Sequence, residues 1–314
     1  MRVLILGAGG TGGYFGGRLA QSGADVSFLV RPARAAQLQR DGLRIRSPLG
    51  DADMQVTHVV AEDLPALAQA KPFDLIVLSC KAYDLDSSIG AIAPAVGTDT
   101  TVLPILNGLR HYDALDARFG RARVLGGLCF ISATKGADGE IGHLGKPASI
   151  TFGERDTAEI SARVAAFAAL CANAGIDHKA SAEIAQDQWI KFTFLATLAA
   201  GTCLMRGSVG QIASSDGGMD FLHALHAETL AIAEAQGQPI PAKAQDIARA
   251  SFADTASPVK ASMLRDLEAG QRVEAAHIVG DMVHRAHAAG LQAPLLNAAW
   301  VHLQVYEAAR DSLA

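Results

Sequence analysis

RVLIL (Arg2–Leu6) is an apolar run that stops abruptly at Gly7, and it predicts a short strand buried in a sheet. A glycine-rich turn follows, a helix is predicted from near Thr11, and residues 25–30 read as a second strand. A helix over 32–40 leads to extended pieces at 43–45 and 55–60. Residues 73–79 (FDLIVLS) form a continuous apolar run, as expected of a strand buried on both faces of a parallel sheet. Residues 100–106 form another, which ends in the turn signal Asn107-Gly108. This alternation predicts a doubly wound parallel sheet with right-handed crossovers. From 124 to 152 the texture changes to β-like runs interrupted by Gly136, Gly139, Gly142 and Gly145, expected as antiparallel strands that finish the sheet.

Beyond Thr157 the chain turns alanine-rich and helical, with helices predicted at 158–174, 183–204, 218–236, 242–250, 259–268, 271–289 and 294–309. The expected class is α/β: an N-terminal Rossmann-type domain over 1–179 and an all-helical domain over 180–314, with the active site in the crevice between them.

The glycines carry the first chemistry. Gly7, Gly9 and Gly12 satisfy G-x-G-x-x-G between a strand and a helix. There the first glycine permits a tight turn, the second lets the backbone approach a pyrophosphate, and the third lets helix and strand pack closely. The helix N-terminus, with Gly10 and Thr11 in its first turn, points N–H groups and a positive dipole end at the phosphates. That context favours a nicotinamide or flavin dinucleotide over a glycine turn without a ligand. An NAD-selective site places Asp or Glu at the end of the second strand, but here Val30 and Arg31 stand there, with Arg34 one helical turn on. A guanidinium at Arg31 suits a 2′-phosphate and points to NADPH. Arg40, Arg44 and Arg46 read instead as a solvated basic edge.

Composition narrows the field. Hydrophobic residues make up 50% and charged residues 19% of 314, and the net charge of −5 gives no electrostatic case for nucleic acid or an anionic membrane. Cys80, Cys129, Cys171 and Cys203 are scattered without ligand spacing and read as buried free thiols in a reducing compartment. The first apolar run is too short for a signal peptide, and the uncharged stretch 192–205 is too short to span a bilayer. A soluble cytoplasmic enzyme is expected.

Several further features fall in one order. Lys81-Ala82 follows FDLIVLS, Asn107-Gly108 ends the next strand, and Trp189-x-Lys191 opens a long apolar helix. Ser262-Met263-Leu264-x-Asp266 precedes Glu274, with Gly280 beyond. Together with GAGGTG and Arg31, this series resembles the ketopantoate reductase family (2-dehydropantoate 2-reductases) over nearly the whole chain. The resemblance implies NADPH-dependent reduction of a small 2-oxo acid to a 2-hydroxy acid, as in pantothenate biosynthesis. By matching positions, Lys191 would be the general acid, and Glu274 would hold the substrate hydroxyl and orient the lysine. Ser262 would contact the substrate carboxylate. Lys81 and Asn107 would lie at the ribose and nicotinamide side, with Asn107 and Glu274 bordering both substrate and cofactor. A homodimer is one assembly open to such a chain; the sequence does not set the oligomeric state.

The chemistry asks for such groups in any case. Hydride delivery to a ketone develops negative charge on oxygen, so a proton donor must wait within hydrogen-bond reach. A lysine at the mouth of an apolar helix is desolvated, which makes it a better acid near neutral pH. Alone, Lys191 would read as a helix-end lysine reaching for water; the joint pattern gives it the acid role.

Two departures from the family pattern bear on substrate. The family commonly carries asparagines four and eight positions after the lysine, where this chain has Leu195 and Ala199 on the same helix face. After Glu274 the chain reads Ala275-Ala276-His277, without the acidic residue usual there. An apolar substrate-facing surface follows. The pairs His223/His226 and His284/His287 lack a further ligand cluster, so no metal site is expected. Two other classes remain as alternatives: a different two-domain dehydrogenase, and an NADPH-binding sensor without turnover.

Overall fold

In the computed structural model, which describes residues 1–312, RVLIL becomes the central strand of a parallel sheet. The chain divides into two units: residues 1–106 with 111–184, and residues 107–110 with 185 onward. Asn107-Gly108 and the two residues after it thus belong with the helical unit.

The first unit runs β1 (Arg2–Leu6), α1 (Gly10–Gln21), β2 (Asp25–Leu29), α2 (Pro32–Asp41), β3 (Leu43–Arg46), β4 (Ala52–Met54), β5 (Thr57–Val59), α3 (Leu64–Ala70), β6 (Leu75–Leu78), α4 (Leu85–Ile92), β7 (Thr101–Pro104), α5 (His111–Phe119), β8 (Gly126–Lys135), β9 (Ile141–Gly153), α6 (Ala162–Asn173) and β10 (Asp177–Ala180). Its first sheet has the order β5-β2-β1-β6-β7, parallel throughout. β1, β6 and β7 are buried at every position, which is why their sequences run apolar without alternation.

The stretch over 124–152 does not finish that sheet. β8 and β9 form a long antiparallel hairpin, with an irregular register between Ile131 and Ala133. The hairpin joins β3, β4 and β10 in a second sheet of order β10-β9-β3-β4, with β8 on β9. The extended piece predicted over 55–60 holds β5 and goes to the first sheet, while β4, just before it, goes to the second. The alternation in β3 explains the second sheet. Leu43 and Ile45 are buried while Arg44 and Arg46 reach outward, so β3 has one apolar face to cover.

That face covers α1, which has a sheet on either side. A Cβ built at Gly16 would stand 2.7 Å from the Phe28 ring of β2 and 2.9 Å from Ile5 of β1. One built at Gly13 would stand 3.0 Å from Ile141 of β9, and one at Gly17 2.6 Å from Ile45 of β3. The doubled glycines, 12–13 and 16–17, are the condition for a helix pressed between two sheets. The dinucleotide motif asks for only one of them.

The second unit consists of α7 (Ile184–Met205), whose first residue closes the first unit, α8 (Val209–Ala213), α9 (Gly218–Ala235), α10 (Ala242–Ala253), α11 (Ser262–Glu268), α12 (Ala275–Ala288) and α13 (Pro294–Asp311). α7 is its axis: Phe192, Ala196, Ala199, Ala200 and Cys203 are buried among the other helices. Ends are sealed locally. Ser208 and Gln211 form a reciprocal cap on α8, and the Glu228 carboxylate accepts from the N–H groups of Leu295 and Leu296 at 3.0 and 2.9 Å. Burial pushes the Cys171 and Cys203 thiols up to about 12, so both stay protonated and inert. No helix among the described residues is long and apolar enough to cross a membrane.

One buried group makes stability depend on pH. His226 of α9 stands edge-on to Phe252, and burial, then the nearby Arg249 and His223, lower its pKa from 6.5 to about 4. The unfolded chain binds this proton near pH 6.5 and the folded chain does not. The stabilising contribution is therefore full above about pH 6.5 and is lost as pH falls towards 4. Thermal unfolding at pH 7 and 4.5 should show a larger drop in Tm for the wild type than for His226→Asn. Equal drops would place the acid sensitivity elsewhere.

Candidate active site

The glycine loop is built by the strand ends around it. Gly7 adopts φ +89°, a conformation that side chains rarely take, and its N–H donates to Leu29 of β2 at 2.9 Å. Ser79, just past β6, donates from Oγ to the Leu6 carbonyl at 2.8 Å, and a Cβ at Gly12 would collide with that hydroxyl. Gly10 is closed off from a different direction, since its Cβ would stand 2.5 Å from the Ala133 carbonyl of β8. Gly9 alone in the loop faces open space. It caps α1 without a side-chain hydrogen bond, and no acidic residue occupies the first turn, where Thr11 sits. These features fit a dinucleotide. The backbone is bare where a pyrophosphate must approach, and helix N–H groups without intrahelical partners face it.

Two arginines flank this loop in different ways. Arg31 caps α2 with its side chain 77% exposed, and pairs with Asp84 at 3.1 Å. Arg34 lies against the loop itself: Nε donates to the Ala8 carbonyl at 3.2 Å and Nη1 to Gln37 at 2.6 Å. Its Nη2 is buried without a hydrogen-bond partner. Burial, then Arg44, lowers the Arg34 pKa. A half-buried cation whose buried Nη2 lacks a partner, against a phosphate-type loop, fits an anionic group. The sequence showed Arg34 only as one turn past Arg31; its contact with Ala8 had no sequence signal. Lys81 lies half-buried at the start of the turn after β6.

The other candidates gather in the helical unit. Lys191, on α7, is only 9% exposed, and its Nζ donates to Asn107 Oδ1 at 3.0 Å across 84 positions of sequence. Asn107 is held there by its neighbour: Gly108 has φ +79°, and a Cβ at that position would collide with the His277 carbonyl of α12. Glu274 is 6% exposed and precedes α12 as its N-cap residue. Ser262 is the half-buried first residue of α11. Leu195 is half-buried one turn beyond Lys191, whereas Ala199 is wholly enclosed by the helical core. Of the two positions, only Leu195 keeps surface outside the core. The HxxH residues go elsewhere: His223 Nε2 lies 3.3 Å from the Arg249 carbonyl, and His284 packs edge-on to Trp300. Among the described residues, no group of three or more His, Cys, Asp or Glu is placed to hold a metal ion.

A doubly wound glycine-loop unit in one part of the chain and a helical unit with a buried lysine–asparagine pair in the other are the features of a two-domain oxidoreductase. The sequence profile described as Ketopantoate reductase PanE/ApbA matches residues 3–157, and that of its C-terminal part matches residues 183–307. The chain belongs to the ketopantoate reductase family. It is 35% identical to the uncharacterized oxidoreductase YkpB of Bacillus subtilis, over 98% of this chain and 99% of that one. Among solved structures, the 2-dehydropantoate 2-reductase from Methylococcus capsulatus is 30% identical, with a TM-score of 0.86 over 99% of this chain and 98% of that one. D-mandelate dehydrogenase, solved with NADH and anilino(oxo)acetate, shares the fold at a TM-score of 0.87 and 19% identity, covering 99% of this chain and all of that one.

Proposed function

We propose that the protein is an NADPH-dependent 2-oxo acid reductase, related in reaction to the 2-dehydropantoate 2-reductases. The observation that carries this reading is the buried Lys191 ammonium held on Asn107 Oδ1. Gly7, Gly9, Gly10, Thr11 and Gly12 cradle the pyrophosphate, and Arg31 takes the 2′-phosphate, with Lys81 on the ribose side. NADPH, when bound, supplies the hydride to the carbonyl carbon of the substrate. Lys191 donates the proton that the carbonyl oxygen needs as its charge develops, and Asn107 fixes the direction of the ammonium. Glu274 holds the hydroxyl being formed, and Ser262 bonds the substrate carboxylate. Steady-state NADPH oxidation with a panel of 2-oxo acids tests the reading. A protein that binds NADPH and turns over none of them is a sensor, and the reductase reading falls.

Leu195 directs the choice within that class. A substrate hydroxyl pressed against leucine without a partner costs about 1–3 kcal/mol, or roughly ten- to a hundredfold in kcat/KM. A branched apolar acid such as 2-oxoisovalerate is therefore expected to surpass ketopantoate, which carries a terminal hydroxyl. Leu195→Asn should narrow the gap. A wild type that prefers ketopantoate removes Leu195 from the argument.

A further inference from the structure

Glu274 is carried by a short connection between α11 and α12, and loop backbone by itself does not hold a carboxylate to a fraction of an ångström. That connection is gripped from α13. The Glu307 Oε1 accepts from the Val273 N–H at 2.9 Å, one residue before Glu274. The adjacent Tyr306 donates from its hydroxyl to the Gln271 carbonyl at 2.7 Å. Val273 is itself buried and Glu307 is half-buried, so in the folded chain the Val273 N–H depends on Glu307 for its partner. α13 is in turn seated on α12, where Gly280 leaves room for the Trp300 ring 3.1 Å from a Cβ built there. Two consecutive residues of the last helix thus fix the backbone on which Glu274 stands.

We propose that Glu307, assisted by Tyr306, is a positioning residue for Glu274 and sets how well the 2-oxo acid is held. It touches neither substrate nor cofactor, and it acts through the Val273 peptide. The proposal rests on reading Glu274 as a substrate contact. A charge-assisted bond to a buried N–H tolerates an amide in place of the carboxylate, because a glutamine oxygen accepts from the same donor.

The experiment compares Glu307→Ala, Glu307→Gln, Tyr306→Phe and Glu274→Ala in the full chain with NADPH and the best 2-oxo acid. Glu307→Ala should lower kcat/KM about tenfold, mostly through KM, the loss expected for one buried N–H left without its acceptor. Glu307→Gln should stay within about threefold of wild type, and NADPH affinity should be unchanged in both. Tyr306→Phe keeps the ring packing and should raise KM by a smaller factor, which preserves the test if Glu307→Ala fails to fold. In the Glu274→Ala background, Glu307→Ala should cost nothing further, since what it positions is gone. A Glu274→Ala protein with full activity removes the underlying assignment. If Glu274→Ala is impaired while Glu307→Ala and Tyr306→Phe are not, the assignment stands and the positioning role is refuted. A Glu307→Ala loss that persists undiminished without Glu274, or that glutamine does not rescue, also refutes it by showing only general support of the fold.

Discussion

Lys191→Ala should lower kcat on the order of 10²–10⁴-fold, with NADPH affinity nearly unchanged. The size follows from the role. If the ammonium is the proton donor, its removal leaves the developing alkoxide without an acid in a place where water is scarce, since the lysine is only 9% exposed. Alanine at this position also strands Asn107 Oδ1, which now accepts from Nζ at 3.0 Å. The NADPH side of the reading rests on the glycine loop and Arg31 in the first unit, so cofactor binding reports whether the variant is intact. Single-turnover and steady-state rates with the same 2-oxo acid give the answer. Turnover surviving within a few-fold means that another group supplies the proton.

Arg31→Ala should weaken NADPH by about 1.5–3 kcal/mol, roughly ten- to a hundredfold in Kd, while NADH is hardly affected. The two arginines divide the work physically. Arg31 is exposed at the N-terminus of α2 and can leave Asp84 for a phosphate. Arg34 is tied to the Ala8 carbonyl, so its removal disturbs the loop that any dinucleotide would use. Arg34→Ala should accordingly weaken both cofactors alike. Titration of NADPH and NADH into wild type and both variants checks the division. Equal losses for the two cofactors in Arg31→Ala, or a wild type that prefers NADH, would overturn it.

Much of this molecule is local in the chain, and there the sequence sufficed. The apolar runs of β1, β6 and β7, the glycine turn, Arg31 at the end of β2 and the alanine-rich helices are written within windows of a few residues. A buried parallel strand must be apolar at every position, and a tight turn with positive φ must be glycine. The order of Trp189-x-Lys191, Ser262-Met263-Leu264 and Glu274 sufficed to indicate the family. What the sequence left open are the pairings of distant segments, which no periodicity records. The β8–β9 hairpin could have extended the first sheet, and it made a second one because β3 had an apolar face and α1 had glycines on both sides. Asn107 and Lys191 are 84 positions apart, and only folding sets Oδ1 against Nζ. Leu195 and Ala199 share one helical face by their spacing, yet tertiary packing encloses Ala199 and leaves Leu195 half-buried. The helix period states which residues point the same way; the neighbouring helices decide which of them a ligand can reach. Glu307 carried no signal in the sequence, and it became the acceptor for the N–H beside Glu274 because α13 packs on α12. Local structure is fixed by the steric and apolar character of adjacent residues. The positions of charged groups in a site are fixed by which surfaces the folded chain buries together.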